Sequence, residues 1–151
     1  MEELKLTADA RTLIEGITSE DGEIRLSAAQ NAGKTGANAL LILAEIAAGE
    51  NLGSAKAARI AMETITHYAG RNGARLEANK VAKELLKIAQ SGLPRMIRAD
   101  AIQLLGYIAN GTHVKEITKF AKSKELASDV VMTLQRIPGN ASKTALKQIK
   151  S

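Results

Sequence analysis

The chain has 151 residues, is 45% hydrophobic and 25% charged, and carries a net charge of +5 with no cysteine. That balance suits one globular domain with a sizeable core and excludes disulfides and thiolate chemistry. Only Tyr68, Tyr107 and Phe120 carry rings, whereas 26 residues are alanine; alanine loses no side-chain entropy in a helix, while a sheet core calls for β-branched and aromatic bulk, so the composition points to helices.

Helix signals follow one another along the chain. Thr7 is placed to cap a first helix whose Ala10, Leu13, Ile14 and Ile17 share one face. Asp21 precedes a second helix that ends near Gly33, and Thr35 starts a third that runs to Gly49. Ser54 opens a fourth, which ends at Gly70 before the Arg71-Asn72-Gly73 turn. A fifth covers Ala74 to Gln90, and Pro94 suits the first turn of a sixth that ends at Asn110-Gly111. Thr112 and Ser123 are expected to cap the seventh and eighth. Pro138-Gly139 halts the eighth, and a ninth runs from about Asn140 to the end. No stretch alternates apolar and polar residues long enough for a strand, so the expected fold is all-α.

Residues 39–48 form the longest apolar run and include Glu45, too short a run to cross a bilayer. The acidic start Met1-Glu2-Glu3 lacks the apolar core of a signal peptide. The expected location is therefore cytoplasmic. In that setting the triplets Asn110-Gly111-Thr112 and Asn140-Ala141-Ser142 read as helix punctuation rather than glycosylation sites.

Internal repetition organises these helices. Ile24-Arg25-Leu26-Ser27-Ala28-Ala29 parallels Ile97-Arg98-Ala99-Asp100-Ala101-Ile102, and Gly33 parallels Gly106, an offset of 73. Ile97, Ala101, Leu105, Ile108, Ile117 and Phe120 match Leu126, Val130, Leu134, Ile137, Leu146 and Ile149 at an offset of 29. Ala28 and Ala32 match Ala58 and Met62 at an offset of 30. Four helix pairs follow, over residues 21–50, 52–91, 93–122 and 123–151, with residues 1–20 as an N-terminal cap.

On these residues the chain resembles the HEAT-like repeat proteins, in particular the short class named after phycobilisome lyases. The resemblance spans about residues 21–151 and rests on Asp21, Ile24-Arg25, Ala28-Ala29 and Gly33, on Ile97-Arg98, Ala101 and Leu105-Gly106, and on Leu40, Leu41, Ile117 and Leu146. Ala55 and Ala127 stand where the arginine belongs in the second and fourth units. The resemblance implies a right-handed α-α superhelix of about four helix pairs plus a capping helix. It also implies that Arg25 and Arg98 form hydrogen-bond ladders between adjacent repeats, that the second helices line a concave docking face, and that no catalytic residue is inherited.

Isolated chemical motifs lead nowhere firm. Gly33-Lys34-Thr35 imitates the end of a phosphate-binding loop but lacks the preceding glycine, Ala28 standing in its place, and the strand. Glu63 and His67 sit one helical turn apart, and the other histidine, His113, is far along the chain, so a surface contact is expected rather than a metal site. No cofactor is implied. The helix over 36–48 is apolar on every side except at Asn38 and Glu45, and the helix at 8–18 is expected to cover it.

Charge gives the functional expectation. Residues 1–50 hold four Lys/Arg against nine Asp/Glu, and residues 51–151 hold seventeen against seven. With Ala78, Val81, Ala82, Leu85 and Ala89 facing inward, Lys80, Lys83 and Lys87 face outward; Lys115, Lys119 and Lys122, then Lys143, Lys147 and Lys150, do the same on the next two second helices. Such a basic strip suits an acidic protein surface, so the expected function is a non-enzymatic protein-binding scaffold. Duplex phosphate backbone is the alternative, few rings being available to stack splayed bases. The opposite charge of the two ends also permits self-association.

Overall fold

The structure is a computed structural model that describes residues 6–149 in full and Lys150 as the last residue of a helix. Met1, Glu2 and Glu3 lie outside the described residues. The described chain is all-helical: α1 Ala8–Ile17, α2 Gly22–Gln30, α3 Leu40–Ala47, α4 Leu52–Ala69, α5 Arg75–Gln90, α6 Arg95–Leu105, α7 Val114–Lys119, α8 Ala127–Arg136 and α9 Asn140–Lys150. Short 3₁₀ turns occupy Gly33–Ala39, Gly111–His113 and Phe120–Lys122.

The first two helices start where their caps dictate. Thr7 Oγ1 accepts from the Ala10 N–H at 3.1 Å, and Asp21 Oδ1 accepts from the Glu23 N–H at 2.8 Å. Four starts differ from expectation. Asn51, not Ser54, caps α4, its Oδ1 accepting from the Ser54 N–H at 3.0 Å. Asn110, not Thr112, caps the segment leading into α7: its side chain accepts from the Thr112 N–H while its own N–H donates to His113 Nδ1. Ser123 closes a 3₁₀ turn instead of opening a helix, and α8 begins at Ala127 with no side-chain cap. The expected helix from Thr35 is likewise interrupted. Gly36 takes φ +71°, a conformation that glycine adopts without a Cβ penalty, and the α-helix starts only at Leu40.

Among neighbours in sequence α1 packs on α2, α3 on α4, α4 on α5, α5 on α6, α7 on α8 and α8 on α9, and four alternate pairs also pack: α2 against α4, α6 against α8, α3 against α5 and α7 against α9. Leu40, Leu43, Met62, Ile65, Leu85, Ile88, Ile102, Leu105, Ile117, Leu126 and Leu134 are fully buried and share one core. The apolar helix α3 is covered by α4 and α5, with α1 lying on the 3₁₀ turn before it. Leu41, Ile42 and Ile46 are half-buried. No helix among the described residues is long and apolar enough to cross a membrane.

Candidate functional site

Polar side chains join successive helices. Arg25 Nη1 donates to the Ser19 carbonyl at 2.8 Å, and its guanidinium lies so close to Gly53 at the start of α4 that a Cβ there would sit 2.7 Å from Nη2. Arg98 makes the matching pair of contacts: Nε donates to the Leu93 carbonyl at 2.9 Å, and Nη2 meets Glu125 Oε1, just before α8, at 2.7 Å. Each arginine holds its own preceding loop and touches the approach to the next packed helix. Further along α4 and α6, Arg59 pairs with Asp100 at 2.9 Å. Between α6 and α8, Asp129 accepts from Gln103 Nε2 at 2.7 Å and from Arg95 Nη2 at 3.3 Å, and the Thr133 hydroxyl donates to the Ile102 carbonyl at 2.8 Å. Asp100 and Asp129 lie 29 residues apart, the spacing of the apolar matches, yet the apolar pattern alone gave no sign of their role.

The lysines separate into three environments. On α5, Lys80 and Lys83 are exposed, while Ala78, Val81, Ala82, Leu85 and Ala89 are buried beneath them. Lys87 departs from expectation. Its side chain is 25% exposed and pairs at 2.9 Å with Glu84, a carboxylate buried at 7% side-chain exposure, so it neutralises an internal charge instead of facing a partner. Lys115, Lys119 and Lys122 are exposed and share one wall of an open groove of about 570 Å³ between α7 and α9. Lys119 pairs with Glu116 at 3.1 Å. Lys143 and Lys147 are exposed on α9 beside that groove, whose far wall is formed by Ala141, Thr144, Ala145 and Gln148.

The histidines serve packing and capping. The His67 ring lies 4.7 Å from that of Tyr107, joining α4 to the end of α6. Glu63 lines a cleft of about 110 Å³ with Arg59, Asp100, Gln103, Tyr107 and Arg136, where two carboxylates face two guanidinium groups. Among the described residues no group of three or more His, Asp or Glu is placed to hold a metal. Gly33 of the Gly33-Lys34-Thr35 motif opens a 3₁₀ turn, and a Cβ on it would meet Tyr68 at 2.9 Å.

The protonation equilibrium of His113 is shifted. Burial, and then the nearby Arg75 guanidinium, hold its pKa below the ordinary value of 6.5. Its Nδ1 accepts the Asn110 N–H at 3.0 Å, a bond that a proton on Nδ1 would displace. The unfolded chain therefore takes up the proton first as pH falls. Stability contributed by neutral His113 is complete above about pH 6.5 and declines below it. His113→Gln is expected to remove that part of the pH dependence. Urea midpoints of both proteins between pH 5 and 7 check this, and parallel profiles would contradict it.

No protein-family model matches this chain, and a search of curated proteins finds no significant match.

Proposed function

We propose that the chain is a HEAT-like α-solenoid, four helix pairs behind the cap α1, that binds an acidic protein through the second helices α5, α7 and α9. The packing of alternate helices supports the stacked arrangement, since one helix pair cannot cover its own apolar face. The matching contacts of Arg25 and Arg98 support a common register. One observation carries the binding reading: Lys80 and Lys83, Lys115 and Lys119, and Lys143 and Lys147 all lie exposed on these three helices, and Lys122 is exposed on the 3₁₀ turn that follows α7. Lys87 is removed from the set by its pairing with buried Glu84. The reading is that of a non-enzymatic scaffold.

Charge reversal tests it without a known partner. The variant K83E/K115E/K143E changes one exposed position on each helix. Against immobilised polyglutamate at about 50 mM salt, it is expected to lose about tenfold or more of the unmodified chain's retention. A duplex DNA column run in parallel separates the second reading, because binding through many phosphate contacts falls by several orders of magnitude between about 50 and 200 mM salt. Tighter, steeply salt-dependent retention on the duplex favours phosphate recognition. Retention on neither column makes the lysines an ordinary solvated face.

A further inference from the structure

The groove between α7 and α9 has a chemistry distinct from the rest of the lysine strip. Val114 and Ala145 form a buried apolar floor, and Ala141 and Thr144 add small side chains one helical turn apart on the α9 wall. The exposed Ala141 and Thr144 side chains leave the groove open above that floor. At about 570 Å³ the space is within the range of ligand-sized clefts, and it is open along its length. The opposite wall carries Lys115, Lys119 and Lys122 at spacings of four and three, so their ammonium groups recur along one face over two turns, roughly 10 Å. Lys119 is engaged by Glu116, but neither Lys115 nor Lys122 has an ion-pair partner among the described residues. Among the described residues no carboxylate lines the groove.

We infer that this groove takes an acidic amphipathic helix from a partner protein, laying two or three aliphatic side chains on Val114, Ala141 and Ala145 and presenting carboxylates one turn apart to Lys115 and Lys122. An amphipathic helix presents its apolar anchors at i, i+3, i+4 and i+7, the same periodicity as the lysine wall, and its flanking carboxylates complement that wall. An apolar floor beneath a rim of one charge sign favours a ligand that carries both features, so a peptide that is merely acidic satisfies only half of the site. This inference rests on the protein-binding reading and narrows it to one pair of helices and one kind of ligand.

The test uses the whole chain and a fluorescein-labelled peptide about four turns long, with a leucine stripe flanked by glutamates. A second peptide has the same composition in scrambled order. Anisotropy is expected to show saturable binding of the first peptide, with the scrambled one at least about tenfold weaker. K115E/K122E removes the rim charge, and A141F fills the floor. Each is expected to weaken binding about tenfold or more while leaving the circular-dichroism melt unchanged, since all three positions are exposed. Equal affinity for the two peptides, or an unaltered affinity in either variant, overturns the inference. If K80E/K83E abolishes binding while both groove variants retain it, the groove is wrong and the broader lysine reading survives. If neither peptide nor polyglutamate binds, both readings fail. A groove filled by a second copy of the chain would show as a solution mass that rises with concentration and falls back in A141F, and that result too overturns the inference.

Discussion

Replacing Asp129 by alanine is expected to destabilise the fold by about 3 kcal/mol, whereas the same change at Asp100 costs under about 1 kcal/mol. The two carboxylates stand 29 residues apart and both reach back to a side chain on an earlier helix, so their chemistry is alike and burial separates them. Asp129 has a side-chain exposure of 7% and gathers Gln103 at 2.7 Å and Arg95 at 3.3 Å. Its loss leaves the Gln103 amide without its acceptor at a packed helix interface, although Arg95, half-exposed, swings into water. Asp100 faces Arg59 at 28% against 45% exposure, where water already screens the pair. Asp129→Asn keeps an acceptor oxygen for Gln103 and is expected to recover part of the loss. Urea unfolding of the three variants at neutral pH measures this, and a chain of this length should show a Tm lower by about 10 °C for Asp129→Ala. Equal costs at the two positions would mean that the α6–α8 contact does not depend on this carboxylate.

The contrast marks where sequence reasoning reaches and where it stops. Helix identity was legible because apolar residues recur at helical spacing, and the inward stripe of α5, from Ala78 to Ala89, was read residue by residue. Helix starts were legible at Thr7 and Asp21, where the residue chosen from the sequence is the one whose side chain accepts a first-turn N–H. At Asn51 and Asn110 a second capping type follows within three residues, and backbone geometry decides between them. Gly36 fell inside the segment read as one helix from Thr35, and its positive φ, which delays the α-helix to Leu40, is not written in hydropathy. At the candidate site, the exposure of Lys80, Lys83, Lys115 and Lys119 followed from spacing alone. Lys87 did not, because its environment depends on Glu84, an acidic residue that composition assigns to solvent and packing places inside. The α7–α9 groove was equally hidden. It arises from the distance between two helices that are not adjacent in sequence, and no local pattern encodes that distance.

The closeness of α1 to α2 gives the second large effect. Gly16 lies in the last turn of α1, where a Cβ would stand 2.6 Å from Ala28 Cβ on α2. On an exposed helix Gly→Ala stabilises by about 1 kcal/mol, because the unfolded chain loses freedom. Here that gain is opposed by an overlap with another methyl that has no rotamer in which to retreat, so the helices must separate. The crowding costs about 1–3 kcal/mol. The overlap is expected to win, and Gly16→Ala should destabilise by about 1–2 kcal/mol net. Separation would loosen the cover over Ala29 and Ile17, both fully buried. Ala28→Gly removes the obstructing methyl at a helix-propensity cost of about 1 kcal/mol. In the double variant the α1 alanine should become stabilising, so the two changes couple by more than about 1 kcal/mol. A double-mutant cycle in urea measures the coupling. Additive effects, or a Gly16→Ala chain more stable than its parent, would show that α1 does not depend on that contact to hold its place.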